Sequence, residues 1–406
     1  MKNFSDKRFV KEAGEKMKKQ LLFVIDSLMC GGAEKSLVTL LNIIDYSKVD
    51  VDLMMFRHGG AFEDLVPDTV HIVSAPHYFE QLQASETPRM KDFYFRIKTS
   101  FLLRMNRLSK EKYYTEQIVY RSLKPYLEIC DKQYDCAIAY SQGMPTYYVS
   151  NHVMSKKKLA WINCNYVTTE YNKQYDTLCY QKMNHIVVVS DFIKETLKEY
   201  PWYKKVEVVN DIVDPRMIQH LSNRDSEYAN DMEYRGIKLL TVARLEKVKG
   251  FDLLVKAASI LKKEGLDFKW FIIGEGSERG RINVLCKEYH LEDSIILLGQ
   301  KTNPYVYMKR CDIYVQTSRN EGLGLTVIEA KILEKLIVCT NFSTASSLIS
   351  DKLDGILCDI LFEDIAEKIM MLVERKELRE NILGKLRTQK KFNTVGEINK
   401  IYNLVS

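Results

Sequence analysis

The chain has 406 residues, with 60 Lys+Arg against 54 Asp+Glu and a formal net charge of +6. Apolar residues make up 46% and charged residues 28%, which excludes a wholly disordered chain and allows a sizeable core. At about 150 residues per domain, this length fits two or three domains or one two-lobed enzyme.

The positive charge is local. Residues 1–20 carry seven Lys/Arg against three Asp/Glu, and residues 91–124 carry nine against three, so the rest of the chain is slightly acidic. A basic face running the whole length of the molecule is absent, which argues against a nucleic-acid-binding protein. The nine cysteines are scattered and contain no C-x-x-C pair. That pattern argues against a disulfide framework or a zinc site and fits a reducing compartment. No apolar run reaches the ~18 residues needed to span a bilayer, and residues 1–20 lack the apolar core of a signal peptide. A cytoplasmic location is expected.

In chain order, residues 1–16 read as a frayed, basic extension. Apolar, β-branched runs then follow at 20–26, 51–56, 69–74, 134–140, 158–163, 185–190 and 206–210. A polar stretch covers 214–234. A second series occupies 237–243, 268–274, 294–299, 312–317, 335–340 and 355–359. Runs of this kind, separated by amphipathic stretches, predict parallel strands covered on both faces. The fold class is therefore α/β, with two Rossmann-like doubly wound lobes facing across a cleft. The boundaries read as 1–212 for the first lobe, 213–380 for the second and 381–406 for a helical segment that packs back toward the first. Residues 80–130 interrupt the rhythm with a helical insertion that mixes aromatic and basic side chains. It fits either an anionic membrane surface or a solvated helical layer packed on the sheet.

Three motifs carry chemistry. Gly31-Gly32 follows the first strand, where backbone N–H groups at a helix start can approach a phosphate; a tight turn explains it equally well. Arg244 and Lys249 lie five apart after the first strand of the second lobe, a pair able to hold a diphosphate or simply to charge a surface turn. Glu321-Gly322-Leu323-Gly324-Leu325 leads into a helix bearing Glu329. The amides of Gly322, Leu323, Gly324 and Leu325 can face an anion, Glu329 can accept from two adjacent hydroxyls, and Glu321 can reach a sugar. Two look-alikes are set aside. Asp50-Val51-Asp52 fits a metal-binding D-x-D but opens a strand, and is read as a solvated strand start. Gly274-Glu275-Gly276-Ser277-Glu278-Arg279-Gly280 misses the dinucleotide spacing by one residue.

The order Gly31-Gly32, Arg244…Lys249-Gly250, Gly274-Glu275-Gly276 and Glu321…Glu329 resembles the retaining, nucleotide-sugar-dependent glycosyltransferases of family four, which have the GT-B fold. The resemblance spans about 18–406. It implies that Arg244 and Lys249 hold the donor diphosphate, with Arg244, Lys249 and Glu321 as the catalytic set. It also implies that Glu329 binds the ribose and that Gly31, Gly32, Asn163, Asn210, Gly274 and the 322–325 amides line the donor site. Asn163 departs from the family, which often has His there; Asn cannot carry a proton at neutral pH. His58, after the second strand, is a candidate substitute. The implied reaction is metal-independent and uses no cofactor. It moves a sugar from a nucleoside-diphosphate sugar, of UDP type, to a lipid-linked or polymeric cell-surface glycan at the inner face of the membrane, with 91–124 against anionic lipid and no nucleic acid involved. The competing readings are an NAD-linked oxidoreductase or epimerase, for which the Ser27…Gly32 segment lacks the fingerprint, and an inactive adaptor of the same fold.

Overall fold

The computed structural model describes residues 18–29, 31–60, 62–83, 90–109, 111–224 and 231–406. The 1–16 extension and part of the 80–130 insertion lie outside the described residues. The first lobe is a parallel sheet of β1 (Lys19–Ser27), β2 (Val49–Arg57), β3 (His71–Val73), β4 (Cys130–Ala139), β5 (Val153–Ile162), β6 (His185–Val188) and β7 (Val206–Val208). The order is β3-β2-β1-β4-β5-β6-β7. The second lobe holds β8 (Ile237–Val242), β9 (Phe268–Ile273), β10 (Ile295–Gly299), β11 (Ile313–Gln316), β12 (Leu336–Thr340) and β13 (Ile356–Cys358), ordered β10-β9-β8-β11-β12-β13. This is the doubly wound arrangement expected from the alternating runs.

Burial follows the two-residue strand period. Along β12, Leu336 and Val338 enter one core while Ile337 and Cys339 enter the other. One core is closed by helices Phe251–Lys263 and Phe362–Glu374, the other by Pro215–Ser222 and Leu325–Ile332. Because both faces of the central strands are covered, most of their positions are apolar, hence the near-continuous runs.

The chain changes lobes between Ile212, which packs in the first-lobe core, and Val213, which packs in the second. Its return differs from the expectation. A break at 380/381 would cut the single helix Lys376–Thr388, whose Ile382 and Leu386 belong to the second lobe. The return begins after Thr388. There Thr394 Oγ1 accepts from Val213 N at 2.7 Å and donates to the Asp211 carbonyl at 2.6 Å. Helix Ile398–Val405 then buries Ile401 and Val405 in the first-lobe core.

The insertion divides its aromatics. Helix Met90–Leu108 turns Phe95 into the core, and helix Thr115–Leu123 buries Tyr120. Tyr94, Ile97, Phe101, Met105 and Leu108 are exposed at helical spacing. No described helix is long and apolar enough to cross a membrane.

Candidate active site

An open α/β sheet binds ligands beyond the strand carboxyl ends, at the point where strand order reverses. In the second lobe that point lies between β8 and β11. The loop after β8 carries Arg244 and Lys249, and the loop after β11 carries Glu321. In the first lobe it lies between β1 and β4, which places Gly31 and Gly32 beside Tyr140 and Ser141.

Lys249 Nζ sits 2.7 Å from Glu321 Oε2, and both side chains are largely covered. Glu321 Oε1 also accepts from Gln316 Nε2 at 2.8 Å and Ser318 Oγ at 2.6 Å. About four lone-pair sites belong to a carboxylate, so three are filled and the group is rigidly oriented. Arg244 is mostly exposed and pairs with Glu246 at 3.0 Å. Gly274 is accounted for by close approach: a Cβ there would stand 1.9 Å from the Ala243 carbonyl oxygen, beside Arg244. Gly324, with φ +71°, turns the chain into helix Leu325–Ile332 in a conformation that disfavours a side chain.

The two lobes touch where two helix starts face each other. A Cβ on Gly32 would lie 3.2 Å from Leu325 Cδ1, and one on Gly322 would lie 3.9 Å from the Asn163 carbonyl oxygen. Glu329, buried, accepts from Lys35 Nζ at 2.8 and 3.1 Å and from Tyr305 OH at 3.1 Å. Lys35 comes from the first lobe, one turn beyond Gly32, and also lies over the Tyr305 ring at 4.9 Å. Lys35, Tyr305, Leu325 and Glu329 line a small pocket between the lobes, partly open to solvent, together with Ser36 and Ile212. Sequence reasoning missed Lys35 and Tyr305. A lysine one turn into a helix is the only local signal, and its partner is 294 residues away.

Two expected donor residues have structural partners. Asn163 Nδ2 donates to the Tyr140 carbonyl at 2.8 Å, which leaves Oδ1 buried without a partner. The Asn210 backbone N–H donates to Glu397 Oε2 at 2.9 Å and so ties the lobe crossing to the C-terminal segment. Of the set-aside motifs, Asp52 corrects its reading as a solvated strand start. It is buried and holds Lys132 Nζ at 2.8 Å and Tyr134 OH at 2.6 Å, anchoring β4 to β2. His58 lies 3.4 Å from Glu63, on its own loop.

On the first-lobe face, Asp26 ends β1 and accepts from Ser141 Oγ at 3.0 Å. It is accessible to solvent yet walled in by protein. That enclosure, followed by the nearby Glu116 and Glu34 charges, pushes its carboxyl above the usual range. Glu116 accepts from Tyr171 OH at 2.6 Å and from the Met144 amide; burial raises it as well. The sequence signal was visible: a lone charge ending an apolar strand.

Residues 229–387 match the family model for glycosyl transferases group 1. The chain is 28% identical over 382 residues to the N-acetylgalactosamine-N,N'-diacetylbacillosaminyl-diphospho-undecaprenol 4-alpha-N-acetylgalactosaminyltransferase of Campylobacter jejuni, covering 92% of this chain and 95% of that protein. It is 32% identical over 158 residues to a poly(ribitol-phosphate) alpha-N-acetylglucosaminyltransferase of Staphylococcus aureus, covering 36% of this chain and 32% of that protein. Among solved structures, TarM superposes with a TM-score of 0.65 at 16% identity over 97% of this chain and 99% of that one. Anabaena HepE in complex with UDP-glucose gives 0.66 at 14%, over 95% and 98%. The fold is GT-B, and the second lobe carries the match to glycosyl transferases group 1.

Proposed function

We propose that the protein is a retaining, metal-independent glycosyltransferase that moves a sugar from a UDP-sugar to a lipid-linked or polymeric cell-surface glycan. The observation that carries this reading is the convergence of Arg244, Lys249, Glu321 and the start of helix Leu325–Ile332 at the β8/β11 reversal, facing Gly31 and Gly32 across the cleft. The chemical demand is to stabilise charge on a departing diphosphate. Fixed cations and aligned amides meet it without reorganising at the moment of reaction. The acceptor oxygen bonds to the anomeric carbon on the face that the phosphate leaves, and the departing phosphate oxygen takes the acceptor proton. No protein base is then required, so Asn163 in place of His leaves the reaction intact.

The acceptor's lipid anchor fits a membrane-facing first lobe. Tyr94, Ile97, Phe101, Met105 and Leu108 form an outward apolar stripe beside exposed Arg96, Arg104 and Arg107. The name of the Campylobacter relative, whose substrate carries diphospho-undecaprenol, supports a lipid-linked acceptor. The test is a transfer assay with a panel of radiolabelled nucleotide sugars and a polyprenyl-diphosphate oligosaccharide. Label moving into the lipid phase with the anomeric configuration kept supports the proposal. Oxidation or epimerisation of the sugar without transfer would overturn it.

A further inference from the structure

Glu329 makes more contacts than a vacant ribose site needs. Lys35 Nζ occupies one lone pair on each carboxylate oxygen, at 2.8 and 3.1 Å, and Tyr305 OH takes a second on Oε1, at 3.1 Å. At most one of about four acceptor positions is then left. A ribose diol donates two hydrogen bonds. We infer that Lys35 is an inter-lobe latch that holds the nucleotide's place at Glu329 and must give up at least one of its contacts when the donor enters. This rests on the proposed assignment of Glu329 to the ribose.

Three features show a built contact rather than a chance surface pair. The carboxylate side is almost fully buried and the ammonium largely so. The lysine also lies over the Tyr305 ring at 4.9 Å. The partners belong to different lobes, and the next helical turn brings Gly32 against Leu325. A covered pair of this kind resists screening by salt better than an exposed one. Its rupture is therefore a real cost to nucleotide binding, and the donor's own contacts must repay that cost.

The inference predicts an unusual sign: removing a positive charge from a site that binds an anion should tighten binding. Isothermal titration of UDP, GDP and ADP into the full-length protein identifies the preferred nucleotide. Lys35→Met should bind it about tenfold more tightly than wild type, equivalent to about 1.4 kcal/mol. Glu329→Gln should bind it more weakly, and adding Lys35→Met to Glu329→Gln should give no gain, because the latch has lost its other half. Unchanged or weaker binding by Lys35→Met, with Glu329→Gln still weakened, overturns the latch and leaves the ribose assignment standing. Unchanged binding by Glu329→Gln overturns the assignment and the latch with it, as does failure of every variant to bind any of the three nucleotides. Lys35→Gln serves as the second variant should methionine disturb folding, since it keeps the stem and a polar tip. A merely structural role for Lys35 would weaken binding in both.

Discussion

Lys249 and Glu321 form one ion pair, 2.7 Å apart, across the ends of the adjacent strands β8 and β11. Two residues with separate expected roles therefore act as a unit. Glu321 fixes where the ammonium stands, and Lys249 neutralises a carboxylate that also takes Gln316 and Ser318. Lys249→Ala and Glu321→Ala should each lower kcat/KM by about 10²–10³, the scale for losing one preorganised electrostatic contact. The double variant should fall little below the worse single one, because members of a unit are not additive. Steady-state kinetics with the preferred donor decides this. Wild-type turnover in both single variants would remove the cleft from consideration.

Every run read as a strand is a strand; for the central strands, burial on both faces leaves a local apolar signature that composition cannot hide. Arg244, Lys249 and Glu321 were also legible one at a time, as charged residues beside glycines at strand ends. Their relationship was not. Lys249 and Glu321 are 72 residues apart and meet only because β8 lies next to β11. Lys35 and Glu329 meet only because two separate lobes close on each other. The 380/381 boundary failed for a related reason. Helix Lys376–Thr388 is amphipathic along its whole length, and nothing local says which lobe its apolar face covers. Asp52 was misread because its burial depends on Lys132 and Tyr134 of β4, about eighty residues on.

Asp211, at the lobe crossing, makes stability depend on pH. Burial pushes its carboxyl up from 3.8 to about 6, against the opposing hydrogen bond from Ser36. Between those values the folded protein holds a proton that the unfolded chain has released. This contribution is therefore full below about 3.8, falls as pH rises through the window, and is gone above about 6. Asp211→Asn removes the titration. Urea unfolding should show the variant gaining on wild type by up to about 2 kcal/mol between pH 4.5 and pH 7.5. A gap between the two proteins that stays constant with pH would exclude Asp211 as the cause.

The exposed stripe on helix Met90–Leu108 gives a membrane test that leaves the cleft alone. Reversing Arg104 and Arg107 to Glu removes two cations near an anionic surface, each worth about 1 kcal/mol there. Sedimentation with vesicles containing anionic lipid should show at least a tenfold loss of binding, with soluble-acceptor turnover unchanged. Ile97→Glu with Phe101→Glu should lose binding as well, because both side chains face outward. Equal affinity of the wild type for neutral and anionic vesicles would remove the role of anionic lipid, and no binding to either would remove the membrane role, without touching the transferase reading.

Gly250 sets the distance between the two loops that carry the ion pair. Its φ is +70°, and a Cβ on it would stand 2.1 Å from the Thr317 carbonyl oxygen. The same loops are stapled by Thr317 Oγ1 donating to the Lys249 carbonyl at 2.9 Å and by the Arg319 amide donating to the Val248 carbonyl at 2.8 Å. A methyl group must therefore push apart backbones that are already bonded, and backbone yields less easily than a side chain. Gly250→Ala should cost about 2–4 kcal/mol, combining left-handed strain with overpacking. It should also lower turnover, because Lys249 is the preceding residue and moves with the loop. Gly280→Ala is the matched control. Nothing lies within 4 Å of its added Cβ, and it sits inside helix Arg279–Glu288, where alanine is favoured. Urea unfolding of both variants separates the effects. Equal stability for the two would mean that the approach of the β8 and β11 loops is loose, and that the position of Lys249 is set by Glu321 alone.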